Sequence, residues 1–318
     1  MKIGMALAHG FAISYRGMPF EQALDKIANM GFEAVEISGG NYPGTDFCDP
    51  RVLLKNNEKL KSFKKAVEDR GLFISALDCH GNFLHPNKTV AKEHIEVQHN
   101  TVLLAERLDI DTICTFSGCP GDQDEAKGPN WITCAWPPEY QEMLEWQWEK
   151  KVIPFWKDEL DFIQKHGIEK IGIEMHPGFV CYNPETLLKL RRSVGKPIGA
   201  NLDPSHLFWQ GIDVPAVIRE LGDAIYHFHA KDSEIDPVNS SINGTLDAKP
   251  YSDILHRYWR FRTVGYGQDT MTWKRILSAL RMVKYDYVLS MEHEDDLMPV
   301  DEGLRKGLTF LKEIMLRD

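Results

Sequence analysis

Along the chain, amphipathic stretches at helical spacing alternate with short apolar runs, and the junction between them recurs. A helix-periodic segment ends, often at glycine, and a β-rich apolar run follows within a few residues. The joins are ANMGFEAVEIS (28–38), VEDRGLFISALD (67–78), AERLDIDTICTFS (105–117), IQKHGIEKIGIEMH (163–176), RRSVGKPIGANLD (191–203), RELGDAIYHFHAKD (219–232) and RMVKYDYVLSMEHED (281–295). Gly31, Gly71, Gly167, Gly195 and Gly222 stand where a helix terminus needs a left-handed residue. With the opening KIGMAL, the pattern predicts eight strands and about eight helices. Clear helical periodicity covers 19–30, 52–69, 88–107, 138–166 with a break near Pro154, 213–221, 271–282 and 301–316.

The apolar runs lack strict alternation, as strands buried on both faces do. Regular succession of strand and helix predicts a parallel sheet with right-handed crossovers. Eight units in 318 residues fit a closed (β/α)₈ TIM barrel. A doubly wound open sheet fits less well, because no GxGxxG follows the first strand. Two segments exceed ordinary loop length, 117–137 after the fourth strand and 233–270 after the seventh. Neither has the apolar content for a fold of its own, so residues 1–318 are expected to form a single domain. Both leave the C-terminal ends of strands, where barrel enzymes build their active sites.

Composition narrows the function classes. There are 37 basic and 47 acidic residues, a net charge of −10. That balance disfavours a nucleic-acid partner and a basic membrane-surface role. No apolar run approaches the ~18 residues of a membrane helix. The opening MKIGMALAHGF lacks the apolar core of a signal peptide, and six cysteines form no CxxC pair. Both features point to reduced thiols in a cytoplasmic protein.

The chemistry-bearing residues gather at one point of successive units. The fifth strand ends IGIEMHP, with Glu174 and His176. The sixth ends GANLDPSH, with Asp203 and His206, and the seventh ends YHFHAKD, with His227, His229, Lys231 and Asp232. The eighth ends LSMEHED, with Glu292, His293, Glu294 and Asp295. Singly, each has a plain explanation: an Asp before Pro makes a turn, a strand His is structural, and an acidic run is a solvated loop. Their recurrence at four consecutive strand ends favours a divalent cation held by Glu174, Asp203, His229 and Glu292, since unpaired buried carboxylates are costly. Three carboxylates and one imidazole form a hard donor set, which suits Mn²⁺ first and then Mg²⁺ or Co²⁺ over a structural Zn²⁺. Such an ion can hold a substrate carbonyl and stabilise an enolate.

IEMHP, NLDPSH, HFHAKD and SMEHED resemble the metal-site strands of the xylose-isomerase-like TIM barrels, the sugar phosphate isomerase/epimerase superfamily. The resemblance spans nearly the whole chain. It implies Glu174, Asp203, His229 and Glu292 as metal ligands, with Glu174 and Glu292 flanking the substrate as acid and base. It also implies His206 as a substrate contact and matches Lys231 and Asp232 to the family's HxKD signature. The tryptophan-rich stretch 118–156 and FRTVGYG (261–267) depart from a plain epimerase. They resemble large subunits of bacterial C-glycoside deglycosidases, which cleave 3-oxo-C-glycosides.

The common elementary act is proton abstraction α to a metal-bound carbonyl, giving an enediolate. Return of the proton yields an epimer or an isomer, and expulsion of a β-substituent yields elimination. Glu174 and Glu292 lead the acid/base candidates, followed by His206 and His176. His176, His206, Lys231, Arg262 and Trp136 are the substrate-binding candidates, with Trp131 as an alternative stacking ring. Packing accounts for Trp146 and Trp148. His9, Glu36 and His80 are expected as supporting or structural residues. The last loop, EHEDDLMPVDEG, repels phosphate, so an unphosphorylated sugar or sugar conjugate is expected. The leading function is thus a metal-dependent sugar isomerase or epimerase. A lyase on 3-oxo-glycosides and a non-catalytic sugar-binding barrel are the alternatives, and a metal-dependent endonuclease is disfavoured by charge. A homo-oligomer is expected, with room for a small partner subunit.

Overall fold

Each apolar run following a helix becomes a buried strand, and each strand pairs in parallel with its neighbours. The computed structural model describes residues 1–7, 15 and 17–316. The chain begins with β1 (Lys2–Leu7), α1 (Phe20–Met30), β2 (Ala34–Ser38), α2 (Pro50–Leu53), α3 (Asn57–Glu68), β3 (Phe73–Asp78), α4 (Lys88–Leu108) and β4 (Thr112–Thr115). There follow α5 (Glu139–Trp146), a π-helical turn (Gln147–Val152), α6 (Ile153–Lys165), β5 (Lys170–Glu174), α7 (Pro184–Val194), β6 (Ile198–Leu202), α8 (Ser205–Phe208) and α9 (Val214–Leu221). The last part holds β7 (Ile225–Ala230), β8 (Asp232–Ile235), α10 (Pro237–Asn243), β9 (Trp259–Arg262), α11 (Thr270–Met282), β10 (Val288–Met291) and α12 (Val300–Ile314).

Strands β1 to β7 and β10 form a closed barrel, with β10 pairing back onto β1. This is the expected (β/α)₈ architecture. The surrounding helices bury apolar stripes against the strands, as α1 does with Ala23, Leu24 and Ile27 and α12 with Leu304, Leu308 and Leu311. No helix among the described residues is long and apolar enough to cross a membrane. All six cysteines are free thiols, and only Cys134 is exposed.

The helix expected over 52–69 is two helices. Asp49 caps α2 through the Arg51 N–H, and Asn56 caps α3 through the Lys59 N–H. Two Asx caps so close together each start a helix, which periodicity alone hides. The break expected near Pro154 is the π-helical turn just before it, and Pro154 then sits in the first turn of α6, where its missing N–H costs nothing. The five junction glycines all have positive φ, but only some end a helix in the αL conformation. Gly31 does (φ 91°, ψ 31°), whereas Gly195 has ψ 169° and Gly222 has ψ −118°.

The long segment after β7 contains an antiparallel hairpin, β8 against β9, in the register Asp232↔Arg262 through Ile235↔Trp259. Asp232 fastens it to the barrel. Its buried carboxylate accepts from the backbone N–H groups of Ser233, Gly265, Gly267 and Gln268 and from the Trp273 indole N–H. Burial raises its pKa to about 6 against those donors. Asp232→Ala leaves several buried donors without an acceptor and is expected to cost about 2–4 kcal/mol. A urea midpoint unchanged from the parent would rule out this anchoring role.

Candidate metal and acid–base site

The C-terminal ends of β5, β6, β7 and β10 deliver the polar cluster. Glu174 closes β5, Asp203 follows β6 directly, His229 lies within β7 and Glu292 follows β10 directly. Ligand-type atoms of Glu174, Asp203 and His229 all lie within 4.8 Å of one another, and all three residues are buried. Glu292 joins them through His229, with Nδ1 to Oε2 at 3.2 Å.

His229 is oriented by its far side. Its Nε2 faces both oxygens of Glu36 on β2, at 3.0 and 3.2 Å. Ser290, paired in register with His229, donates its hydroxyl to the same carboxylate at 2.7 Å. With Nε2–H assigned to Glu36, Nδ1 is the free lone pair. It points at Glu174 (3.7 Å), Asp203 (3.8 Å) and Glu292 (3.2 Å) yet has no hydrogen bond. Burial pushes the Glu36 pKa up, but His229 and His227 outweigh it and hold it at about 2.

Asp203 serves two ends. Its Oδ1 accepts from the Ser205 N–H at 2.8 Å, the turn contact expected before a proline, while Oδ2 is buried without a hydrogen bond. Glu174 is approached by His80 Nε2 at 3.0 Å and His206 Nε2 at 3.1 Å. Burial opposes its ionisation, but these two histidines bring its pKa well below the usual carboxylate range. His80 Nδ1 in turn faces Asp78 at 3.4 Å.

Asp203 Oδ2, His206 Nε2 and His229 Nδ1 thus form no hydrogen bond and have only close charge contacts, His206 Nε2 lying 3.1 Å from Glu174 and 3.4 Å from Asp203. Buried groups of this kind normally have partners. A divalent cation fits the donor set: Glu174, Asp203 and His229 could supply three ligand atoms, and Glu292, within reach of His229, a fourth.

Lys231 is the cation of this mouth. Its buried ammonium lies 3.0 Å from Glu292, 2.7 Å from Glu294 and 3.9 Å from Asp203, and 4.2 Å above the Phe261 ring. Burial works against its charge, but Glu292 and Glu294 more than compensate, so its pKa rises well above the lysine norm. His176 stands beside the cluster, its ring 4.1 Å from that of His206. Its Nδ1 donates to the Pro177 carbonyl at 2.6 Å, which leaves Nε2 as the other ring nitrogen. Burial, then His206, drive its pKa down to about 3.

Two substrate-binding candidates are engaged or exposed in ways the sequence did not show. Arg262, on β9 opposite Asp232, is held by the diagonal Glu234 at 2.6 Å and by Asp295 of the loop after β10 at 3.3 Å. Trp136 is 74% exposed and does not line the cavity at the mouth, whereas Trp131 does. Trp148 is core, as expected. His293 turns to Thr263 and the Met298 carbonyl, away from Glu292. His9 lies outside the described residues. Glu36 and His80, expected only as supporting residues, contact His229 and Glu174 directly. Trp209, Tyr251 and Trp259 at the mouth carried no sequence signal beyond the length of the insertions.

A model of the xylose isomerase-like TIM barrel family matches residues 24–314. Uncharacterized protein YfiH of Bacillus subtilis (strain 168) is 38% identical over 298 residues, covering 93% of this chain and 95% of its own. Among solved structures, a D-tagatose 3-epimerase-like protein superposes with a TM-score of 0.64 at 20% identity, covering 99% of this chain and 97% of that one. The IolI protein with a bound zinc atom superposes with a TM-score of 0.65 at 16% identity, covering 99% and 98%. At such identities the likeness to the solved structures is one of fold.

Lys231→Met removes the one ammonium among Glu292, Glu294 and Asp203. Without metal, the variant is expected to lose about 3–5 kcal/mol, because the buried charges lose their partner. Added divalent cation should restore part of that loss in thermal melts. Equal stability of variant and parent without metal would show that Lys231 does not balance the cluster.

Proposed function

The chain belongs to the xylose isomerase-like TIM barrel family, and on that premise we propose that it is a divalent-metal-dependent sugar isomerase or epimerase acting on an unphosphorylated keto-sugar or sugar conjugate. The supporting observation is the convergence of Glu174, Asp203 and His229, with Glu292 beside them, where Asp203 Oδ2 and His229 Nδ1 are buried without a hydrogen bond. In this reading those four residues hold the ion, which when bound supplies a Lewis acid for the sugar's carbonyl and hydroxyl oxygens.

The protein's own groups move the proton. Glu174 and Glu292 stand on strands separated by β6 and β7, so they approach a sugar from different sides of the mouth. One takes the proton α to the carbonyl and the other returns it, the arrangement an epimerisation needs. His206, 3.1 Å from Glu174, is placed to pass a proton to or from that carboxylate, and His176 offers its other ring nitrogen to a substrate hydroxyl. Lys231 fixes Glu292. The carboxylate-rich donor set favours Mn²⁺, Mg²⁺ or Co²⁺. Similarity to a zinc-containing neighbour makes Zn²⁺ the ion to compare with them.

Charge supports an unphosphorylated substrate. Lys231 is already engaged by two glutamates, and the partly buried Glu294 and buried Asp295 of the last loop lie at the same end. A phosphate would meet carboxylates rather than cations.

Solvent deuterium should enter a ketose recovered from the Mn²⁺-loaded protein in D₂O. Glu174→Gln and Glu292→Gln should each abolish that exchange while leaving the fold intact by circular dichroism; full exchange in both variants removes the assignment. Glu36→Ala should weaken Mn²⁺ binding about 10–100-fold by calorimetry, since the partner that orients a ligating histidine is lost. Unchanged affinity in a folded variant would exclude that supporting role.

A further inference from the structure

Beside the carboxylate cluster the mouth opens into a cavity of about 410 Å³, within the ~300–1,000 Å³ range of small-molecule sites. His176 and His206 line it on the side of the acid–base residues, and Trp131, Trp209, Tyr251 and Trp259 form much of the remaining wall. Its floor is therefore shared with the reacting site through His206, but Glu174, Asp203, His229 and Glu292 are not among its lining residues.

The aromatic wall is held in place. Trp209 and Trp259 stack with centroids 5.0 Å apart and planes 3° from parallel, and Tyr251 stands at 74° to Trp259. The buried Arg257 guanidinium lies 4.4 Å from the Tyr251 ring centre and 4.7 Å from that of Trp259, and its Nε donates to the Trp259 carbonyl. The lining residues contain no lysine or arginine, and their one carboxylate, Asp247, is taken by Lys249 at 2.8 Å and the Tyr258 N–H at 2.7 Å.

Tyr251 and Trp259 come from the segment between β7 and α11, and Trp131 from the segment between β4 and α5. The two insertions that barrel closure does not require thus meet over the mouth as an uncharged aromatic pocket. Flat rings with fixed geometry select the faces of other rings, whether the C–H face of a pyranose or an aryl group.

We propose that this cavity is a subsite for a second, uncharged ring attached to the reacting sugar, so that the substrate is a glycoside rather than a free monosaccharide. The proposal rests on the carboxylate cluster being the reacting centre, and it adds what lies next to that centre.

The test is equilibrium binding to the Mn²⁺-loaded protein, by calorimetry and tryptophan fluorescence. D-fructose is compared with the keto-disaccharide lactulose, and D-glucose with phenyl β-D-glucoside. At least one ring-bearing probe should bind about tenfold or more tightly than its monosaccharide, as expected for one well-packed aromatic contact plus burial. Lactulose as the better binder assigns the pocket to a glycosyl ring, and the phenyl glucoside to an aryl ring. Trp259→Ala should erase that preference and leave fructose binding and deuterium exchange on free ketose unchanged, with Tyr251→Ala as the second variant should Trp259→Ala misfold. Ring-bearing probes that bind no better than their monosaccharides would falsify the proposal, as would equal weakening of every sugar in both variants. Ring preference without any deuterium exchange would instead overturn the isomerase reading and leave the subsite standing.

Discussion

One electrostatic constraint organises this molecule: buried Glu36, Glu174 and Asp203 and the partly buried Glu292 and Glu294 crowd one end of a closed barrel, with the Lys231 ammonium beside Asp203, Glu292 and Glu294. Buried carboxylates are costly unless paired, and like charges at close range make matters worse. The fold meets the demand by interleaving histidines. Glu36 takes one nitrogen of His229, Glu174 lies between His80 and His206, and Glu292 is held between His229 and Lys231. What remains after these pairings is a set of buried atoms, Asp203 Oδ2 and His229 Nδ1 among them, that form no hydrogen bond. A divalent cation would complete the balance with the charge and the donor preference the cluster asks for.

The two insertions answer a different demand. A barrel of eight short strands ends in a shallow mouth, and a sugar held there would be open to water. Asp232 uses its buried carboxylate to gather the backbone of 265–268 and the Trp273 indole, which fixes the β8–β9 hairpin next to the site. Arg257 then locks Tyr251 and Trp259 from behind. Charge is spent inside these braces: Arg262 on Glu234 and Asp295, Asp247 on Lys249. The cavity they wall is consequently aromatic and uncharged, in contrast to the carboxylate cluster beside it.

The barrel and the position of its site were legible in the chain because both follow from periodic, local rules. A buried parallel strand must be apolar, a helix must be amphipathic, and the residue at the strand's C-terminal end must face the mouth. The same rules set Glu174, Asp203, His229 and Glu292 at neighbouring strand ends from the sequence pattern alone. Caps are local too, yet Asp49 and Asn56 split a helix that periodicity alone reads as continuous, since a cap acts through one side-chain bond and leaves the hydrophobic pattern intact.

Pairings between residues far apart in sequence carry no such signature. Glu36 and His229 are 193 positions apart, and only closure of the barrel puts the carboxylate behind the imidazole and so selects Nδ1 as the free nitrogen. Arg262 reads in sequence as a candidate for a substrate oxygen, but the fold engages it with Glu234, diagonal to it across the hairpin, and with Asp295 of the loop after β10. Trp131 rather than Trp136 reaches the cavity because the path of an irregular loop, which no period encodes, decides which ring turns inward. The sequence by itself therefore determined the architecture, the end of the barrel that carries chemistry and the types of donor gathered there. Tertiary structure alone decided which atoms are satisfied and which are left facing the mouth, because hydrogen bonding and charge pairing depend on distances that only the closed fold creates.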